Sequence, residues 1–264
     1  MRRRILYTLG LTLFFGTLIG VPLAYKYFTI PPTCNDGIVN QGETAPDRGG
    51  PCPLVDVRRL SPSSVLWARA FRMRLPVSDA AHPGGTYTAI AYVQNPNDDA
   101  GVAKARYIFR LYDEQNILVA EREGKTFIMP GGITPIIEAN IDTGNRIATH
   151  TLFQFTDRLT WERFDDVSHN ISVTNRTVRD VATTPRIEAE ALNTSVTTKT
   201  DLQFAAAVFD TAGNAFAASA TQLDRLEAGA RAPIVFTWPS SFAVQIGRVD
   251  IIPLLPPKPA WRAK

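Results

Sequence analysis

The residues best suited to chemistry sit in a short stretch near the N-terminus, Cys34-Asn35-Asp36-Gly37-Ile38-Val39-Asn40-Gln41-Gly42-Glu43-Thr44-Ala45-Pro46-Asp47-Arg48-Gly49-Gly50-Pro51-Cys52. Asp36, Asn40, Glu43 and Asp47 carry four oxygen-bearing side chains at short spacing, with Gly37 and Gly42 for tight turns, a donor set that suits a hard cation such as Ca²⁺. The spacing is not that of an EF-hand loop. The plainer reading of the same residues is a turn cluster whose Asp and Asn side chains bond nearby backbone. Cys34 and Cys52 are the chain's two cysteines. Outside the cytoplasm they are expected to form a disulfide closing a nineteen-residue loop, which stabilises by about 3 kcal/mol in the chain-entropy account.

Elsewhere chemistry is sparse. His82, His150 and His169 are isolated, and no sequence pattern ties His150 to Asp142 or Asp157 as a triad. Asp98-Asp99 and Asp165-Asp166 read as solvated loop carboxylates. The chain has no H-E-x-x-H, G-x-S-x-G, S-x-x-K or glycine-rich phosphate loop. The expectation is therefore a non-enzymatic protein with no catalytic residues. Asn170, Asn175 and Asn193 open N-x-S/T sequons, relevant only in a host that glycosylates them.

The elements that hold these residues begin with a membrane segment. After Arg2-Arg3-Arg4, residues 5–25 (ILYTLGLTLFFGTLIGVPLAY) carry no charge. As a helix rising about 1.5 Å per residue, the segment matches a hydrocarbon core of roughly 30 Å. Three arginines before it and Lys26 after it favour a cytoplasmic N-terminus. Tyr25, Tyr27 and Phe28 stand where an interfacial aromatic belt would lie, and Gly16 and Gly20 have G-x-x-x-G spacing. A cleaved signal has a shorter apolar region and an A-x-A-like site. Here Pro22-Leu23-Ala24 is a poor site, so residues 5–25 are expected to stay in the lipid bilayer, with the rest periplasmic or extracellular. Formal net charge is +3, which Arg2–Arg4 alone supply, so the neutral body lacks the basic face a nucleic-acid partner requires.

From about Val65 the pattern is that of β-strands. Residues 105–112 (ARYIFRLY) put Tyr107, Phe109 and Leu111 on one face and Arg106 and Arg110 on the other, the period-two signature of a half-buried strand. Residues 113–116 turn the chain into Ile117–Ala120, and Phe127–Met129 lead into a second turn at Pro130-Gly131-Gly132. The arrangement returns about 98 residues later. AIAYVQN (89–95) corresponds to IEAEALN (187–193), IFRLYD (108–113) to AAAVFD (205–210), and GGITPI (131–136) to GARAPI (229–234). A period that long fits two tandem domains rather than a solenoid. Short strands with frequent turns predict immunoglobulin-like β-sandwiches.

The expected fold is thus mainly β. It comprises a transmembrane anchor (1–29), a Cys-loop linker (30–60), a first sandwich (61–165), a second sandwich (166–255) and a Pro-rich basic tail (256–264). Two resemblances accompany this reading. Phe109-Arg110-Leu111-Tyr112-Asp113, Gln115–Val119 and Pro130-Gly131-Gly132 resemble the FxLYD domain over roughly residues 85–142, with a decayed copy at Ala207–Asp210. That resemblance implies a β-sandwich in an envelope-associated protein and brings no catalytic residues. The Cys34–Cys52 stretch is similar to a cysteine-rich motif of bacterial surface proteins, C-x-D-G-x-x-N-x-x-E-x-x-x-D-C-G-G-x-C, with Arg48 in place of the additional cysteine. Together they imply a bacterial, membrane-anchored interaction or scaffold protein that meets an envelope protein partner. The alternative is a carbohydrate- or peptide-binding accessory module, for which Trp161 and Trp238 would be the sugar-stacking rings.

Overall fold

The computed structural model describes residues 2–29, 33–74, 84–164 and 170–256. His82, His169, Asp165-Asp166 and the tail from Pro257 onward lie outside them, as do the side chains of Tyr27 and Phe28. The chain forms two compact units, Met1–Cys52 and Pro53–Lys264.

The first unit opens with helix α1 (Arg2–Thr29), whose span Arg4–Tyr25 is long and apolar enough to cross a membrane. A membrane anchor and a signal sequence both fit that description. None of the span is covered by protein. Its hydroxyls are returned to the helix itself: Thr8, Thr12 and Thr17 donate to the carbonyls of Arg4, Thr8 and Leu13 at 3.0, 2.8 and 2.8 Å. An apolar medium therefore meets almost no unsatisfied polar group along this surface.

The second unit is mainly β. Its strands are β1 (Ser64–Arg74), β2 (Thr86–Gln94), β3 (Ala100–Tyr112), β4 (Leu118–Ile128), β5 (Ile133–Asp142), β6 (His150–Phe155) and β7 (Glu162–Arg163). After these come β8 (Ile171–Arg179), β9 (Arg186–Asn193), β10 (Lys199–Asp210), β11 (Ala215–Leu226), β12 (Arg231–Thr237) and β13 (Ile246–Leu254). They make four antiparallel sheets ordered β1-β2-β5, β4-β3-β6 with β7 beside β3, β11-β10-β13 and β12-β9-β8. The segment from Thr151 to Phe164 thus adds to the first group of strands rather than linking two bodies.

Two cores lie between pairs of sheets. Tyr87, Ala89, Ala91 and Val93 of β2 meet Tyr107, Phe109 and Leu111 of β3 and Phe153 of β6. In the same way, Ile187, Ala189 and Ala191 of β9 meet Phe204, Ala206 and Val208 of β10. Phe109 is fully buried and lies 4.9 Å from Phe153 between ring centroids. Tyr107 lies over Gly124 of β4, where any Cβ would come within 2.4 Å of its ring, so this position requires glycine.

A third layer joins the two cores. Ile90 and Tyr92, on the opposite face of β2, pack with Ala207 and Phe209 from the opposite face of β10. Trp67 stacks on Tyr92 at 4.4 Å and meets Phe209 edge-on at 6.0 Å. Arg69 donates to the Ala215 carbonyl at 3.2 Å, and the Arg248 guanidinium covers the Phe209 ring at 4.1 Å. This is why Tyr87–Val93 and Phe204–Phe209 are buried without interruption, whereas β9 alternates buried and half-buried residues. Apolar faces placed back to back make one body of the two cores.

Candidate functional site

In the first unit the disulfide between Cys34 and Cys52 is formed, with the Cα atoms 5.5 Å apart. The four oxygen-bearing residues are placed around it unequally. Asp36 Oδ1 accepts from the Ile38 N–H at 2.9 Å, and Asp36 Oδ2 accepts from Asn40 Nδ2 at 2.9 Å and the Thr33 N–H at 3.2 Å. These hydrogen bonds, that of Asn40 first, hold the Asp36 carboxyl below its ordinary pKa. Asp47 receives the Gly37 N–H on both oxygens, at 3.1 Å each. Glu43 is buried at 7% exposure, with Oε2 accepting from the Asn40 N–H at 3.3 Å. Its Oε1 lies 2.9 Å from Cys52 Sγ, a disulfide sulfur that carries no proton to donate.

Among the described residues, the ligand atoms of Cys34, Glu43 and Cys52 converge within 4.8 Å, and no three of the carboxylates do. Asp36 is thus brought to Asn40, and Asn40 to Glu43, while Asp47 faces the Gly37 backbone. The arrangement ties loop backbone to side chains across the disulfide. Replacing both cysteines with serine is expected to loosen the loop by about 3 kcal/mol. Limited proteolysis of the full chain should then cut within 34–52 at least tenfold faster, leaving the 53–264 body intact.

In the second unit the repeated residues occupy matched positions. Asp113 Oδ1 accepts from the N–H groups of Gln115 and Ile117 at 3.0 and 2.9 Å, and Asp210 Oδ1 accepts from Ala212 and Asn214 at 2.9 and 2.8 Å. The residue before the last donor has positive φ in both turns, Asn116 at 59° and Gly213 at 84°, as asparagine and glycine tolerate. The Ile117 N–H chiefly, with Arg146 and the Gln115 N–H, holds the Asp113 carboxyl below its ordinary range against the opposing effect of burial; the Asn214 N–H chiefly does so for Asp210.

A carboxyl whose folded pKa is depressed contributes stability above its unfolded value of about 3.9 and loses it as pH falls through the folded value. Thermal unfolding is therefore expected to be flat above about pH 5 and to weaken at lower pH. The Asp113→Asn and Asp210→Asn double variant should flatten part of that acid limb.

Two buried asparagines have roles that the sequence analysis did not find. Asn95 is fully buried and donates to the Ala100 and Met129 carbonyls at 2.7 and 2.8 Å. Its counterpart Asn193, equally buried, donates to Thr197, Leu226 and Glu227 at 2.8, 3.1 and 3.0 Å. The signal was their recurrence at matched places in the two copies, at the ends of β2 and β9. Burial also removes Asn193 as a sequon.

The other residues with chemical potential are structural. His150 Nδ1 faces Thr149 Oγ1 at 2.9 Å and the Asp113 carbonyl at 3.4 Å. Trp238 is buried, and its indole N–H donates to the Ala218 carbonyl at 3.1 Å, so it offers no ring to a sugar. Trp161 packs half-buried against the first core.

A groove of about 420 Å³ opens where β4 and β5 face β10 and β11. Its floor includes Ile136, Ile137 and Leu254, and its rim includes Lys125, Gln203 and Gln222. Tyr107 reaches one wall, its hydroxyl donating to Glu138 Oε1 at 2.6 Å. Burial first, then this carboxylate, raises the Tyr107 pKa, which keeps the phenol neutral.

No protein-family model and no curated protein matches the chain. Solved structures with distant likeness include red sea bream transglutaminase, at 10% identity over 74% of this chain and 31% of that one, with a TM-score of 0.22. A Bacteroides uniformis β-glucuronidase is similar at 12% identity over 75% and 28%, with a TM-score of 0.20. Bacteroides uniformis β-glucuronidase 2 covalently bound to cyclophellitol-6-carboxylate aziridine is similar at 11% identity over 75% and 28%, also with a TM-score of 0.20. The chain spans less than a third of each of these proteins. At such scores their activities say nothing of this one.

Proposed function

We propose that the chain is a non-enzymatic, single-pass protein of a bacterial cell envelope, with residues 5–25 retained in the bilayer and the N-terminus cytoplasmic. In this reading the body is a pair of tandem immunoglobulin-like sandwiches, FxLYD-like in the first, held in the periplasm or outside the cell as an interaction or scaffold module for an envelope protein. The observation that carries it is the uncovered apolar span Arg4–Tyr25, which begins on the last of three consecutive arginines. Left in water, a helix with so many exposed large apolar side chains would aggregate, whereas in lipid it is at home. The disulfide and the matched Asp113 and Asp210 turns agree with an oxidising location and a duplicated sandwich.

Carbonate extraction and protease protection of membranes from expressing bacteria test the reading. Full-length chain is expected in the carbonate-resistant pellet, with its body digested only when protease reaches the outer side of the cytoplasmic membrane. A soluble product beginning after Ala24, or a body protected in spheroplasts, would overturn it. The second reading, an accessory module that binds peptide or carbohydrate, draws its support from the groove beside Tyr107.

A further inference from the structure

We propose that reduction of the Cys34–Cys52 disulfide turns this loop into a Zn²⁺ site, with both thiolates and Glu43 Oε1 as ligands. The ligand atoms of the three residues already lie within 4.8 Å of one another. Glu43 is buried at 7% exposure, and the Asn40 N–H holds its Oε2, which leaves Oε1 facing Cys52 Sγ at 2.9 Å. In the oxidised loop that sulfur has no proton to give, and no other donor reaches Oε1 among the described residues. A buried carboxylate oxygen so placed calls for a proton donor or a cation. Reduction makes room for the second, because it adds two sulfur ligands beside the oxygen.

The donor set selects the metal. Two thiolates and one carboxylate suit Zn²⁺, which takes sulfur at about 2.3 Å and carboxylate oxygen at about 2.0–2.2 Å in a tetrahedron, whereas Ca²⁺ and Mg²⁺ take oxygen ligands. In such a tetrahedron the sulfurs stand about 3.8 Å apart. Side-chain rotation provides that opening from Cα atoms 5.5 Å apart. Backbone contacts hold the cluster once the S–S bond is gone. The Glu43 N–H donates to the Asn40 carbonyl at 2.7 Å, and the Cys52 N–H donates to the Gly49 carbonyl at 3.0 Å. Gly50, at φ 56°, lies so close to the Gly42 carbonyl that a Cβ would come within 2.8 Å of it. In an oxidising location the disulfide is the resting state, and a reductant opens the site. A dithiol closes to its own disulfide and passes two electrons and two protons to the sulfurs. Zn²⁺ then displaces both protons to solvent, binds the thiolates and Glu43, and keeps a water as fourth ligand.

The test uses the full chain in lipid nanodiscs, reduced by a phosphine, which competes weakly for zinc, and desalted under argon. Co²⁺ is the spectroscopic probe and Zn²⁺ its competitor. Reduced wild type is expected to give a thiolate-to-cobalt charge-transfer band that Zn²⁺ bleaches, and the oxidised chain none. Zn²⁺ should also slow cleavage of the reduced loop within 34–52 at least tenfold, and Ca²⁺ should not. Glu43→Gln keeps the size and both cysteines, and should weaken Zn²⁺ binding at least tenfold. If Glu43→Gln is cut faster than wild type in the oxidised state, reduced wild type in denaturing urea replaces it. There the thiols remain but Glu43 is no longer held beside them, so Zn²⁺ should again bind at least tenfold more weakly.

Absence of the cobalt band in reduced wild type overturns the proposal. So does equal Zn²⁺ affinity in wild type and a properly folded Glu43→Gln, in folded and urea-denatured chain, or in reduced and oxidised chain. Cleavage of the reduced loop that Zn²⁺ leaves unchanged overturns it as well. Membrane fractionation tests the envelope reading separately, and neither result bears on the other.

Discussion

Replacing Ile90 with glutamate is expected to cost the 53–264 body about 4–5 kcal/mol. Ile90 is fully buried in the layer where β2 meets β10, among Tyr92, Ala207 and Phe209. A carboxylate there loses its hydration, and the cation that stands across from it on β1, Arg69, is already committed to the Ala215 carbonyl. The position also has an internal control. Its repeat counterpart is Glu188, half-buried on the outer face of β9, where Arg186 pairs with it at 2.7 Å. The same residue type is therefore tolerated in one copy and excluded from the other by what lies opposite. Ile90→Val should cost only about 0.5–1.5 kcal/mol, and Glu188→Gln should stay within about 0.5 kcal/mol. Urea unfolding of the full chain in detergent, followed by tryptophan fluorescence, reads the difference. An Ile90→Glu midpoint equal to wild type would mean that the two cores do not pack together in solution.

The second large effect belongs to Asn193. Truncation to alanine takes the side-chain donor from the Leu226 carbonyl in a buried place, while the Thr197 and Glu227 carbonyls keep the Ser195 hydroxyl and the Ala230 N–H. Each net hydrogen bond contributes about 1 kcal/mol and an orphaned buried group costs more, so Asn193→Ala is expected to lose about 3 kcal/mol. Asn193→Asp is the sharper test. It is nearly the same size, but it turns the donor atom toward three carbonyl oxygens as a second acceptor, so it should be worse than alanine. If Asp were better tolerated than Ala, the side chain would not be serving as a donor. Asn95, with two buried carbonyls to satisfy, should follow the same order with a comparable loss.

These two cases also show where the sequence was readable. Alternation placed Tyr107, Phe109 and Leu111 on one face, and the structure puts all three in the first core. The offset of about 98 residues found the matched turns, because turn chemistry is local and depends on a few residue types. The two cysteines announced their pairing by being alone.

The contact between the cores was not readable. A strand buried on both faces loses the polar beat that marks a solvent side, so residues 86–93 do not display the two-faced pattern that residues 105–112 do. For Asp36 and Asp47 the turn-cluster reading was available, but the choice between it and a cation site was not, since a carboxylate suited to a cation and one suited to a backbone N–H are the same side chain. Trp238 reads as an exposed ring before a proline, but its burial depends on residues twenty positions away in β11.

The layered arrangement has a consequence for growth. A unit whose one face adheres to the opposite face of its own duplicate holds, in principle, instructions for an endless fibre, because the terminal units present the same pair of faces again. Glu188 and Glu190 at one extremity and Arg110 at the other, each already neutralised within its own sheet, are where that recursion halts after two members.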